Sequence, residues 1–141
     1  MDIFNLPAEA SVKRLLNAAN FNSSDLTPEH MTQFFGTGAK ENLDGVVGLE
    51  LFGTIGLLRS LAVVSSQRRT GLGSRLVAQA EDYARNCGIK SLYLLTETAE
   101  AFFTHRGYRR LGRDEAPHAI RETKEFSEIC PVSSVFMVKH L

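Results

Sequence analysis

The sequence predicts an α/β fold, and three observations carry that expectation. Residues 46–51 and 55–64 are β-branched and leucine-rich runs joined at Gly53-Thr54, which reads as a hairpin. From Gly71 the apolar spacing changes from two to about 3.6, and a further apolar run follows at 91–95. The order strand, long helix, strand, short helix implies parallel strands in the sheet, with helices covering it.

The elements follow in order. Pro7 can sit at a first helical position, and Val12, Leu15, Leu16 and Ala19 recur at helical spacing, which predicts a helix over 7–19 behind a short segment at Asp2 to Asn5. Asn22 to Pro28 is turn-rich, and Thr32 to Thr37 reads as a short strand. After the hairpin, Leu72, Leu76, Val77, Ala80, Tyr83, Ala84 and Cys87 lie on one helical face, and Gly88 is a natural C′ residue. That face makes Cys87 a core thiol. Thr98 can cap a short helix from Ala99 to Arg106 that Gly107 ends. An irregular or helical piece over 117–129, stopped by Cys130-Pro131, leads to a last strand at 134–140.

The 141 residues, 43% hydrophobic and 23% charged, suit one domain spanning 1–141, with roughly 70% of its unfolded surface buried and no need of disulfides or structural metal. Cys87 and Cys130 are far apart and form no Cys-x-x-Cys spacing, which excludes a zinc cage or a thioredoxin-type motif and fits a reducing cytoplasm. No metal site is expected. Met1 to Asn20 has no basic segment followed by an apolar run, so a secretory signal is not expected. The apolar stretch at 46–64 contains Glu50, Arg59 and three glycines, which suits buried strands and not a membrane span.

Zero net charge argues against a nucleic-acid binder with a basic surface, but the average conceals a gradient. Residues 1–58 hold three basic and seven acidic side chains, 59–113 hold ten and four, and 114–141 hold three and five. A neutral chain with an electropositive middle suggests a local anion site, although a solvated helix face gives similar counts.

The most informative segment runs from Leu61 to Gly73, a buried strand that enters a basic glycine loop and opens the amphipathic helix. Glycines at 71 and 73 let backbone N–H groups approach an anion, the helix N-terminus adds a favourable dipole, and Arg68 and Arg69 add charge. No Gly-Lys-Ser/Thr follows, so it is not a P-loop, and without a third glycine it is not a dinucleotide fingerprint.

The run Arg68-Arg69-Thr70-Gly71-Leu72-Gly73 resembles the cofactor loop of the GNAT superfamily, the Gcn5-related N-acetyltransferases, whose pattern is Arg/Gln-x-x-Gly-x-Gly/Ala after a strand. A second element, an aromatic pair followed by glycine and an aromatic, stands at Phe102-Phe103 and Gly107-Tyr108. Gly48-Leu-Glu, Leu57 to Leu61, Tyr93 to Phe103 and Cys130 to Met137 are similar to the arsenic-resistance N-acetyltransferases of the second type. The resemblance implies a mixed, mostly antiparallel sheet of six or seven strands, splayed between 55–64 and 91–95, with helices on both faces and a small first strand. It also implies acetyl transfer from acetyl-CoA to a small-molecule amine, such as an amino-acid-like one, by direct attack. The pantetheine arm would pair with Leu61, Ala62 and Val63, the pyrophosphate would sit on the amides of residues 68 to 74, Ser74 included, and Phe102, Phe103 and Arg106 would lie beside the cofactor. A homodimer is left open. The rival readings are a non-catalytic acyl-CoA-binding module and a protein or peptide acetylase.

Family members place a glutamate early on the strand that leads to the loop; here those positions are Leu57 and Leu58. A hairpin about Gly53-Thr54 sets Glu50 opposite Leu57 and diagonal to Arg59, so Glu50 is either a general base from the neighbouring strand or half of a structural ion pair. The family's thiolate-protonating tyrosine falls at Phe103, which leaves that step to water or to a substitute such as Tyr93, Tyr83 or Tyr108. His105 and His118 read as surface residues. Arg59 with Arg113 or Arg121 could clamp an acceptor carboxylate, while the mixed charges of 113–126 would equally suit a solvated helix.

Overall fold

Strand propensity and the two-residue turn at Gly53-Thr54 act together in the central hairpin, which the computed structural model, describing residues 2–141, forms from β3 (Asn42–Phe52) and β4 (Ile55–Val63). The other strands are β1 (Ile3–Asn5), β2 (Phe34–Ala39), β5 (Ser91–Thr96), β6 (Arg109–Arg110) and β7 (Val135–His140). The helices are α1 (Glu9–Ala18), α2 (Leu72–Asn86), α3 (Glu100–His105) and α4 (His118–Arg121). The strands form one seven-stranded sheet in the order β1-β2-β3-β4-β5-β7-β6, mixed and mostly antiparallel, with helices on both faces. The parallel β4–β5 ladder covers only Ile55↔Ser91, Gly56↔Leu92 and Leu57↔Tyr93. Pairing that stops partway along both strands matches the expected splay.

The described residues divide into two interleaved compact units, residues 2–50 with 58–83 and residues 51–57 with 84–141. In the first, Val12, Leu15 and Leu16 of α1 pack with Leu26, Met31, Phe34, Leu43, Val46 and Ala62. β1 pairs antiparallel with β2, and β2 with β3, where the register shifts between Thr37 and Gly38. Gly48 lies across the ladder from Phe34, and the phenyl ring closes over the space where a Cβ on Gly48 would stand. In the second unit Leu57, Ala116, Ile120 and Phe136 form the core, with Phe52, Ile55, Tyr93, Leu95, Leu111 and Phe126 packed around it. Antiparallel ladders join β5 to β7 and β6 to β7.

Several boundaries differ from the sequence expectation for identifiable reasons. α1 begins at Glu9, two residues after Pro7, because Ala8 is still extended. The strand expected at 32–37 lies at Phe34–Ala39, since Pro28–Gln33 winds into a 3₁₀ helix opened by the Thr27/His30 capping box. Thr98 does not cap α3; the Thr96 hydroxyl accepts from Ala99 N at 3.0 Å instead. Cys87 is exposed, not a core thiol. Gly88 (φ 84°) sits at C′, with Ile89 N donating to Ala84 O and Gly88 N to Arg85 O, both at 3.0 Å, so the helix stops before its apolar face reaches Cys87. Among the described residues no helix is long and apolar enough to cross a membrane.

The Phe34–Gly48 contact gives a direct test. Gly48→Ala forces a methyl into a fully buried ring, so it should cost about 1–3 kcal/mol of unfolding free energy in a urea titration. An unchanged midpoint would mean that β2 and β3 approach less closely than described.

Candidate functional site

At the end of β4 the first unit turns into helix α2 through a loop whose backbone is set locally. Val64 N is tied to Asp44 O at 2.8 Å, and Ser65–Gln67 forms a 3₁₀ turn in which Gln67 N donates to Val64 O at 3.0 Å. The Thr70 hydroxyl donates to Gln67 O at 2.5 Å. Two left-handed residues, Arg69 (φ 66°) and Gly71 (φ 86°), reverse the chain just before α2. Arg68, Arg69, Thr70 and Gly71 are exposed, Leu72 is buried, and Gly73 and Ser74 are half-buried. A Cβ at Gly71 would meet nothing within 4 Å, so the backbone there is open to an incoming group. The N-terminus of a helix carries the positive end of its dipole, and α2 has no acidic side chain in its first turn. Two cationic residues, an exposed glycine and this helix N-terminus together make an arrangement suited to a phosphate oxyanion. On β4 itself Leu61 and Val63 are half-buried and Ala62 is buried.

The same unit holds a buried ion cluster around Arg59, which is 3% exposed. Its Nη1 donates to Asp25 Oδ2 at 2.6 Å and to Glu50 Oε2 at 2.8 Å, its Nη2 donates to Asp25 Oδ1 at 2.9 Å, and its Nε donates to Ser60 Oγ at 3.0 Å. Burial pushes the Asp25 carboxyl up, but the hydrogen bonds and charge of Arg59, helped by His30, outweigh it and hold the group below the ordinary aspartate value. His30 Nδ1 accepts from Thr27 N at 3.0 Å. Asp25, His30 and Glu50 bring candidate ligand atoms within 4.8 Å of one another, and the cation bonded to both carboxylates is the guanidinium of Arg59. The hairpin register thus brings Glu50 and Arg59 together. Sequence reasoning misses Asp25: it lies in the turn-rich segment after α1, 34 residues from Arg59, where no periodic signal links the two.

In the second unit Tyr93 is half-buried and stacks on Phe136, with ring centroids 5.6 Å apart. Phe103 is buried in edge contacts with Phe102 and Tyr108, at 5.1 and 5.5 Å, and the Arg106 guanidinium lies 4.7 Å above Phe102. Arg113 covers the Phe126 ring at 4.6 Å and donates to Ser134 O at 3.3 Å and Phe126 O at 3.4 Å. Arg121 donates to Ala116 O at 2.9 Å and to Asp114 O. Both arginines therefore bind the backbone of the segment that carries them. His105 and His118 are exposed, as expected of surface residues. Arg110 hydrogen-bonds Glu100 at the surface, which holds the Glu100 carboxyl below its ordinary value.

The chain has relatives among known proteins. The model of the acetyltransferase (GNAT) family matches residues 2–112. An amino-acid acetyltransferase of Neisseria meningitidis is 30% identical over 102 residues, covering 71% of this chain and 23% of the relative. An uncharacterised N-acetyltransferase of Chlorobaculum tepidum is 29% identical over 116 residues, covering 80% of this chain and 74% of the relative. Among solved structures, the N-acetylglutamate synthase of Neisseria gonorrhoeae complexed with coenzyme A and N-acetyl-glutamate superposes with a TM-score of 0.80 at 25% identity, covering 99% of this chain and 35% of that one. The chain thus spans about a quarter of the meningococcal relative and about a third of the gonococcal one.

The ion cluster makes acid stability a readout. With its folded-state value lowered, Asp25 contributes stability that is complete above the unfolded aspartate value and is lost as pH falls through the folded one. Urea midpoints measured from pH 7 down to 3 should therefore fall below about pH 4, and Asp25→Asn should show a shallower fall from a lower starting point. Parallel curves for the two proteins would contradict the assignment.

Proposed function

The chain belongs to the acetyltransferase (GNAT) family, and from that premise we propose that it transfers the acetyl group of acetyl-CoA to the primary amine of a small, amino-acid-like acceptor. The observation that carries this reading is the strand-loop-helix junction, with Arg68, Arg69, the left-handed Gly71 and the first turn of α2, free of acidic side chains, at the end of β4. Those groups suit the cofactor's pyrophosphate, and Leu61 to Val63 suit its pantetheine arm. Coenzyme A in the gonococcal structure supports the choice of cofactor. The acceptor class is supported by the name of the meningococcal relative and by the N-acetyl-glutamate of the gonococcal complex. The finer likeness to the arsenic-resistance group rests on sequence segments alone and adds nothing to the choice of acceptor.

In the reaction the amine nitrogen, once neutral, attacks the thioester carbon, and the C–S bond breaks as the amide forms. The proton lost by the amine goes to Glu50, directly or through water. Arg59 bonds one Glu50 oxygen while Asp25 offsets the guanidinium charge, so Glu50 is oriented without being the sole counter-ion. The leaving thiolate takes a proton from water; a thiol pKa near 8.5 makes a dedicated acid dispensable. Phe103, which cannot donate, and Leu57 and Leu58, which cannot act as base, favour the second reading, an acyl-CoA-binding module without turnover.

Thiol release from acetyl-CoA across a panel of amino acids and simple amines separates the two readings. We expect turnover with at least one amino acid, lowered about 10²-fold in kcat by Glu50→Gln with CoA affinity retained. CoA binding without turnover on any amine would favour the module. For the loop, Gly71→Asp sets a negative charge against the pyrophosphate and should weaken CoA binding by about tenfold or more, whereas Arg75→Ala, one turn on, should leave it within about twofold. Equal losses in calorimetry would sink the loop assignment.

A further inference from the structure

Ser60 interrupts β4. It holds φ at 58°, in the left-handed region that a serine enters only at a cost, in the middle of a strand. Strand alternation fails at the same place: Gly56 to Arg59 are buried in succession, then Ser60 and Leu61 are both half-buried. A local reversal of this kind re-aims the residues after it, and those residues, Leu61 to Val63, are the ones that the reading above gives to the pantetheine arm. Something must hold a strained residue in place. Arg59 Nε donates to Ser60 Oγ at 3.0 Å, and the other end of the same guanidinium is gripped by both oxygens of Asp25, at 2.6 and 2.9 Å. The side chains of Arg59 and Asp25 are 1% and 3% exposed, so water competes little for these bonds. Glu50 adds a further tie from β3 at 2.8 Å.

We propose that Asp25 is a positioning residue for cofactor binding: acting through Arg59, it clamps the reversal at Ser60 and so fixes the direction in which Leu61 to Val63 present their backbone groups. The polar partner of Asp25 is Arg59, so any effect on the cofactor passes through that side chain. This role rests on the reading that β4 receives acetyl-CoA. It differs from a plain structural ion pair because it ties the effect of Asp25 to the conformation of one other residue. Glycine at position 60 adopts the left-handed conformation without strain and needs no clamp, whereas alanine keeps the strain and loses the hydrogen bond.

The test is calorimetry of CoA binding below the unfolding temperature of each protein. Asp25→Asn should weaken binding about tenfold, which is the scale of one strained residue, and Asp25→Glu should recover part of the loss. Ser60→Ala should follow Asp25→Asn. Ser60→Gly should bind CoA as the parent does, and Asp25→Asn placed in that background should lose far less than tenfold. Leu16→Ala, which opens the core at α1, controls for destabilisation and should leave affinity unchanged. Asp25→Asn with unaltered affinity, or with an equal loss whether serine or glycine stands at position 60, overturns the proposal. If Asp25→Asn does not fold, the two Ser60 variants decide alone, and equal affinities overturn it. Failure of the parent protein to bind CoA removes the reading of β4 and this role with it.

Discussion

A guanidinium closed off from water between two carboxylates of its own chain is the constraint on which the first unit depends. Arginine stays charged at any accessible pH, so burying Arg59 requires counter-ions and hydrogen-bond acceptors in fixed places. Asp25 comes from the turn after α1, Glu50 from β3 and Ser60 from β4 itself, and the bonds from Arg59 hold these three segments in one arrangement. Apolar packing of α1 against Phe34, Val46 and Ala62 excludes solvent from the same unit. Burial and pairing are mutually dependent here. Without the core the ion pairs would be screened and weak, and without the pairs the buried charge would oppose the core.

That constraint sits at the start of the segment best suited to an anion. After Ser60 the strand delivers Leu61 to Val63 and then a loop that uses two left-handed residues to bring basic side chains and the N-terminus of α2 together. Arg68 and Arg69 set part of the positive charge of the middle of the chain at this loop, while the chain as a whole stays neutral. In the second unit arginines do different work: Arg113 and Arg121 bind backbone carbonyls of 114–134 and hold that irregular segment in shape.

Much of this is legible in the sequence wherever a local rule acts alone. The 3.6 period of α2 runs over about four turns and leaves one interpretation, and its stop at Gly88 follows from backbone sterics. A two-residue turn at Gly53-Thr54 fixes register, so the meeting of Glu50 and Arg59 follows from their spacing about that turn. Cys87 is the exception on α2, because a helical wheel carried one residue past the last turn puts an exposed thiol on the apolar face. β6 is invisible in the sequence, since two exposed arginines form no apolar pattern and owe their strand state to pairing with β7. Asp25 and the strain at Ser60 are invisible for a deeper reason: both arise from tertiary contact, and neither residue type announces it.

The most direct test of the account is hydrogen exchange of backbone amides with and without CoA. Binding at the strand-loop-helix junction should slow exchange at Leu61 to Val63 and at Gly71 to Ser74, and leave α1 (Glu9–Ala18) unaffected. CoA that binds while those amides exchange as in the free protein would contradict it.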